Sequence, residues 1–124
     1  MTDEKQLIFI KLKELLSAYV PPLVITRDED EKFDVYGDVK VTIGKKTHDR
    51  VYFASLEVWK NHVGFYFFPI YTHHNMFSDT HEDLIKLLKG KSCFHVKKED
   101  EIIFTEIEKL LKKGFEIYRD EGWI

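Results

Sequence analysis

Val51-Tyr52-Phe53-Ala54-Ser55-Leu56-Glu57-Val58-Trp59-Lys60-Asn61-His62-Val63-Gly64-Phe65-Tyr66-Phe67-Phe68-Pro69-Ile70 is the stretch that decides the fold. Its β-branched and aromatic residues predict two strands, over 51–59 and 63–70, joined by a hairpin turn at Lys60-Asn61. Alternation sends Val63, Phe65 and Phe67 to one face and Tyr66 and Phe68 to the other, so both faces are apolar. Such a strand is central and covered on both sides, or covered on one side while lining a groove on the other. Pro69 lacks an N–H and marks the end of pairing or an edge.

Working outward, Val39, Val41 and Ile43 alternate with Lys40 and Thr42, and Gly44-Lys45-Lys46 supplies a turn. The strand pattern runs from Phe33 to Ile70 and predicts an antiparallel meander. Leu23 to Thr26 is a further short strand candidate, followed by the acidic loop Asp28 to Glu31. On the other side, Tyr71 to Phe77 reads as a loop, and Thr80 with Asp83 resembles a capping box. That box would open a short helix through Leu84, Ile85, Leu87 and Leu88, closed by Gly90, before a strand over 92–96. Both ends are helical by period. Residues 3–20 place Ile8, Phe9, Leu12, Leu15, Leu16 and Tyr19 on one side, ending at Val20-Pro21-Pro22. The last helix starts near Glu99 or Asp100, with Ile103, Ile107, Leu110, Leu111, Ile117 and Tyr118 as its buried stripe. The expected fold is α+β: one domain over 1–124, an antiparallel sheet packed by the N-terminal and C-terminal helices.

Composition bounds the function. In 124 residues, 44% hydrophobic and 33% charged is a globular composition. A net charge of −3 lacks the basic excess of a nucleic-acid binder. The longest apolar run, Val63 to Tyr71, falls far short of the ~20 residues a membrane helix needs. The polar start Met1-Thr2-Asp3-Glu4 carries no signal peptide pattern, and the single Cys93 suits a reducing compartment, so a cytoplasmic location is expected.

No motif compels a reaction. Gly90-Lys91-Ser92 looks like the end of a phosphate loop, but Ile85 stands where that motif needs its first Gly. Lys86, Lys89, Lys91, Lys97 and Lys98, with no acid from Leu84 to Val96, form an edge that attracts anions. Cys93 and His95 share a strand face ~6.5–7 Å apart, too far for a direct hydrogen bond, so a group such as His62 would have to intervene. His73, His74 and His81, with Asp79, Glu82 and Asp83, match no structural zinc spacing. An aromatic content of 15% instead points to a packed core, a dimer interface or an apolar groove. As a groove, it has Tyr52, Tyr66 and Phe68 for its wall and Lys91 and His95 as handles for an anionic group. Gly64, inside a bulky strand, marks a bulge, a close approach or space above the sheet on the face of Tyr66. The function expected is a non-enzymatic binding module for a small ligand or protein partner. It would be a monomer or homodimer with no cofactor; an enzyme of unknown reaction is a further alternative, for which no nucleophile, base and orienting group converge in the sequence.

Val51-Tyr52-Phe53-Ala54-Ser55 followed by Lys60-Asn61-His62-Val63-Gly64-Phe65-Tyr66 resembles the signature of the YdhG-like family, domain-of-unknown-function family 1801. Lys89-Gly90-Lys91-Ser92-Cys93-Phe94-His95 resembles its second block, and the similarity spans roughly residues 3–124. More typical members place Pro directly after this Gly-Phe-Tyr, whereas Phe67-Phe68 intervene before Pro69 here. The resemblance implies an α+β fold without a shared catalytic set. One branch of the family is regarded as a frataxin-like iron chaperone, which implies iron delivery as an alternative function. The acidic loop 28–31 or the region 73–81 would be its site.

Overall fold

Asp3 begins the first helix by accepting a hydrogen bond from the Gln6 N–H, 3.0 Å away, and α1 then runs Glu4–Ser17. The computed structural model describes residues 3–124; Met1 and Thr2 lie outside them. Ile8, Phe9, Leu12 and Leu16 are the buried stripe of α1, with Leu15 and Tyr19 packed at its margin. Strands follow: β1 (Val24–Asp28), β2 (Lys32–Gly37), β3 (Val41–Ile43), β4 (Lys46–His48), β5 (Val51–Val58) and β6 (Val63–Phe67). Then come α2 (Pro69–Thr72), a 3-10 turn (His74–Phe77), α3 (Glu82–Ile85), β7 (Leu88–Lys89), β8 (Cys93–Val96) and α4 (Glu101–Glu121).

Six strands pair antiparallel in the order β1-β2-β5-β6-β8-β7, with the 51–67 hairpin at the centre as expected. The neighbour of β5 is β2, not the alternating segment 39–43. Gly44, at a φ of 63° that only glycine adopts freely, turns Ile43 back onto Lys46, and β3–β4 closes on itself as a separate ribbon. Three further local expectations differ. Tyr71 to Phe77, expected as a loop, lies in helical turns that begin at Pro69, which at the first helical position is preset for a helix. The Thr80 hydroxyl donates to the Phe77 carbonyl (2.6 Å), so His81 is the cap of α3 instead, its Nδ1 accepting from the Asp83 N–H at 3.0 Å. Gly90 does not close that helix; at φ 73° it turns β7 into β8, where Leu88 faces Phe94 and Lys89 faces Cys93.

Register sorts the sheet into two faces. Phe33, Val35, Ala54, Leu56, Val63, Phe65, Phe67, Phe94 and Val96 are buried on one. The pairing slips between Val35 and Tyr36, so Phe53 and Ala54 are both buried while Tyr52 faces the other way with Tyr36. Both long helices cover this buried face. The rings of Phe53 and Tyr118 of α4 meet edge-on at 5.5 Å, and the Lys13 ammonium of α1 lies 5.2 Å from the Phe33 ring centre. Every apolar residue expected in the α4 stripe is buried, joined by Phe104 and Gly114. No described helix is long and apolar enough to cross a membrane.

Candidate binding face

Strand alternation leaves Asp34, Tyr36, Tyr52, Ser55, Glu57, Tyr66, Cys93 and His95 on the face the long helices do not cover, each half-buried. Two aromatic runs cross it. Tyr36 and Tyr52 lie 5.3 Å apart by ring centres, Tyr52 and Phe68 5.4 Å, and Phe68 and Tyr71 5.6 Å. At the far end of the hairpin, Trp59 and His62 are parallel within 15° at 6.3 Å, and His62 stacks on His95 at 3.9 Å. The indole N–H of Trp59 donates to the Tyr66 hydroxyl (3.1 Å), laying the indole over Gly64.

The six residues expected at the site therefore divide. Tyr52 and Phe68 line one cleft; Gly64, Tyr66 and His95 belong to the Trp59 end. Lys91 borders the first group only through Tyr71, its ammonium 5.4 Å from that ring's centre. The cleft holds about 170 Å³ and is walled by Tyr36, Tyr52 and Phe68 on the sheet side and by Ile43, His48 and Arg50 from the ribbon and its exit. Tyr36, His48 and Arg50 escape a reading of the sequence because long-range placement, not any periodicity, brings them together: the β2–β5 register sets Tyr36 opposite Tyr52, and the ribbon and its exit bring His48 and Arg50 to the same cleft. Asp38 accepts the Nε–H of Arg50 at 2.9 Å, and the guanidinium carries further N–H donors.

Burial on this face keeps its phenol and thiol groups neutral. Burial raises the Tyr52 phenol far above its ordinary range, against the opposing hydrogen bond with Ser55, so Tyr52 stays protonated. Burial also pushes the Cys93 thiol up, the neighbouring Tyr66 only partly offsetting it. The thiol is thus not activated, and His95 has His62 rather than Cys93 against its ring. Among the described residues no three His, Cys, Asp or Glu side chains stand close enough to share a metal ion. In the acidic loop Asp28 pairs with Lys13 (2.6 Å) and Glu29 with Arg27 (2.7 Å), and His73 and His81 are held by Thr72 and the Asp83 N–H. Comparison of the chain with protein-family models, curated proteins and solved structures finds no match.

Proposed function

We propose that the chain is a binding module whose uncovered sheet face takes a small, planar, anionic ligand in the Tyr36–Tyr52–Phe68 cleft. The observation that carries this is a run of tilted, mutually contacting aromatic rings left half-exposed on a sheet face, ending in a cleft with a guanidinium at its rim. Small-molecule sites are concave and mostly apolar, with a few polar groups that orient the ligand. At ~30 Å³ per water the cleft has room for roughly six waters, the size of one substituted ring. The rings supply flat contact area, Tyr52 a neutral hydroxyl, and Arg50 the charge that meets an anion. A binding reading is favoured over a catalytic one because the nucleophile candidates are occupied or quiet: Ser55 is bonded to Tyr52 and the Cys93 thiol is held protonated.

Titration of the labelled protein with benzoate, followed by amide NMR, tests it. Shifts centred on Tyr36, Arg50, Tyr52 and Phe68 are expected, weaker with neutral benzamide, and reduced to the benzamide level by Arg50→Ala. No saturable shift at these amides up to about 10 mM, a binding free energy of only about −3 kcal/mol, overturns the proposal.

A further inference from the structure

A second concavity lies on the opposite margin of the sheet, between α3, the end of β8 and the first turn of α4. It holds about 330 Å³, nearly twice the aromatic cleft. Its floor is Leu87, Val96 and Ile103, and its rim is Lys86, Lys97 and Lys98. Val96 and Ile103 are 1% and 6% exposed, so the half-buried Leu87 is the accessible part of the floor and the other two back it rigidly from the core. The size fits what small-molecule sites require, with an apolar floor inside a charged rim of Asp83, Lys86, Lys97, Lys98 and Asp100.

The rim carries unspent positive charge. Lys97 and Lys98 are exposed and make no ion pair among the described residues, and Lys86 has only Asp83, at 3.9 Å. The other carboxylate at the rim, Asp100, is committed to the start of α4, accepting from the N–H groups of Ile102 (2.9 Å) and Ile103 (3.3 Å). Those amides are therefore satisfied, and Lys86, Lys97 and Lys98 against Asp83 and Asp100 leave the lining with a net positive charge for an anion to meet. Lys89 and Lys91 extend the same positive edge across the β7–β8 turn. An apolar floor under a cationic rim is complementary to a molecule with an apolar body and one anionic head.

We propose that this cleft is a site for a soluble anionic amphiphile, an alkyl carboxylate whose chain lies on Leu87, Val96 and Ile103 while its head meets Lys97 and Lys98. At ~30 Å³ per water-sized unit the cleft accommodates a chain of about eight to ten carbons. Full burial of a methylene strengthens binding about fourfold, so affinity rises with chain length until the cleft is filled. The site does not depend on the aromatic cleft, and the two are read by different amides.

Octanoate, decanoate and neutral octanol are titrated into the labelled protein and followed by amide NMR. Saturable shifts at Leu87, Val96, Lys97 and Ile103 are expected, tighter by several-fold for decanoate than octanoate and at least threefold tighter for octanoate than octanol. The double variant Lys97→Glu, Lys98→Glu should weaken decanoate at least tenfold; both residues are exposed, and the same spectra confirm that the variant is folded. Unchanged affinity in that variant overturns the site. So do shifts confined to Tyr36, Tyr52 and Phe68, or co-sedimentation with anionic phospholipid vesicles in the absence of saturable decanoate binding.

Discussion

Gly64 shows how one missing side chain sets up its surroundings. A Cβ built there would lie 3.0 Å from Tyr66 Cε2 and 3.2 Å from Trp59 Nε1, so neither open space nor a helix stands over this glycine but an indole laid back from the hairpin turn. Trp59 is 46% exposed and can swing away, whereas Tyr66 is its strand neighbour. In Gly64→Val the gain from β-branching should roughly offset the lost Trp59–Tyr66 hydrogen bond, leaving urea stability within about 1 kcal/mol of wild type. The Trp59 indole N–H resonance should move to the position of a solvated indole; a resonance left in place contradicts the arrangement. The stacked pair His62 and His95 makes a prediction about pH. Burial lowers both pKa values first; His95 and Lys97 lower His62 further, and Lys89 and Lys97 lower His95. The unfolded chain thus binds protons more readily, and the stacked rings contribute stability that is present above the unfolded value of 6.5 and lost as pH falls through the folded values. Acidification from about pH 7.5 to about pH 5 should lower the urea midpoint more in wild type than in the double variant His62→Gln, His95→Gln. Equal losses would show that the stack adds nothing to the pH dependence.

Among the elements, α4 illustrates why a helix tolerates a glycine in its middle. Glycine costs about 1 kcal/mol against alanine in a helix interior. At Gly114 a Cβ would stand 2.5 Å from Phe67 Cζ and 3.0 Å from Pro69 Cγ, and Phe67 is fully buried with nowhere to move. The overpacking cost of ~1–3 kcal/mol therefore exceeds the propensity gain, and Gly114→Ala should lower stability by about 1 kcal/mol in urea melts; a more stable variant would mean that α4 can lift off the sheet. Element identity was legible wherever a period ran long. The α4 stripe from Ile103 to Tyr118 and the 51–67 hairpin follow directly from spacing. It failed at short elements: Thr80 bonds backward to Phe77 rather than capping α3, and Leu88–Lys89 pairs with β8 rather than finishing a helix. A helix of four residues has little cooperative stability of its own, so tertiary partners choose its ends.

At the scale of the whole molecule, the described elements share one hydrophobic core, from Ile8 in α1 through the sheet to Tyr118, whose hydroxyl donates to the Tyr52 carbonyl at 3.3 Å. Stability should be unevenly spread over it. β5 and β6 are flanked by partners on both sides, whereas β1 is an edge strand exposed along most of its length and the β3–β4 ribbon pairs only with itself. Amide hydrogen exchange should be slowest in β5 and β6 and faster by several orders of magnitude in β1 and the ribbon; uniform protection would contradict this division. The α+β class, the two terminal helices, the central hairpin and the side of β6 that each residue takes follow from the amino-acid sequence by itself, because period and turn chemistry are local properties. The tertiary structure alone decided that β2 and not 39–43 borders β5, which face of a doubly apolar hairpin the helices cover, and that Arg50 and His48 meet Tyr36, Tyr52 and Phe68. These outcomes depend on contacts between residues far apart in the chain. Loop closure costs rise only slowly with length, so competing partners differ little in chain entropy, and the balance is struck by packing that no local pattern records.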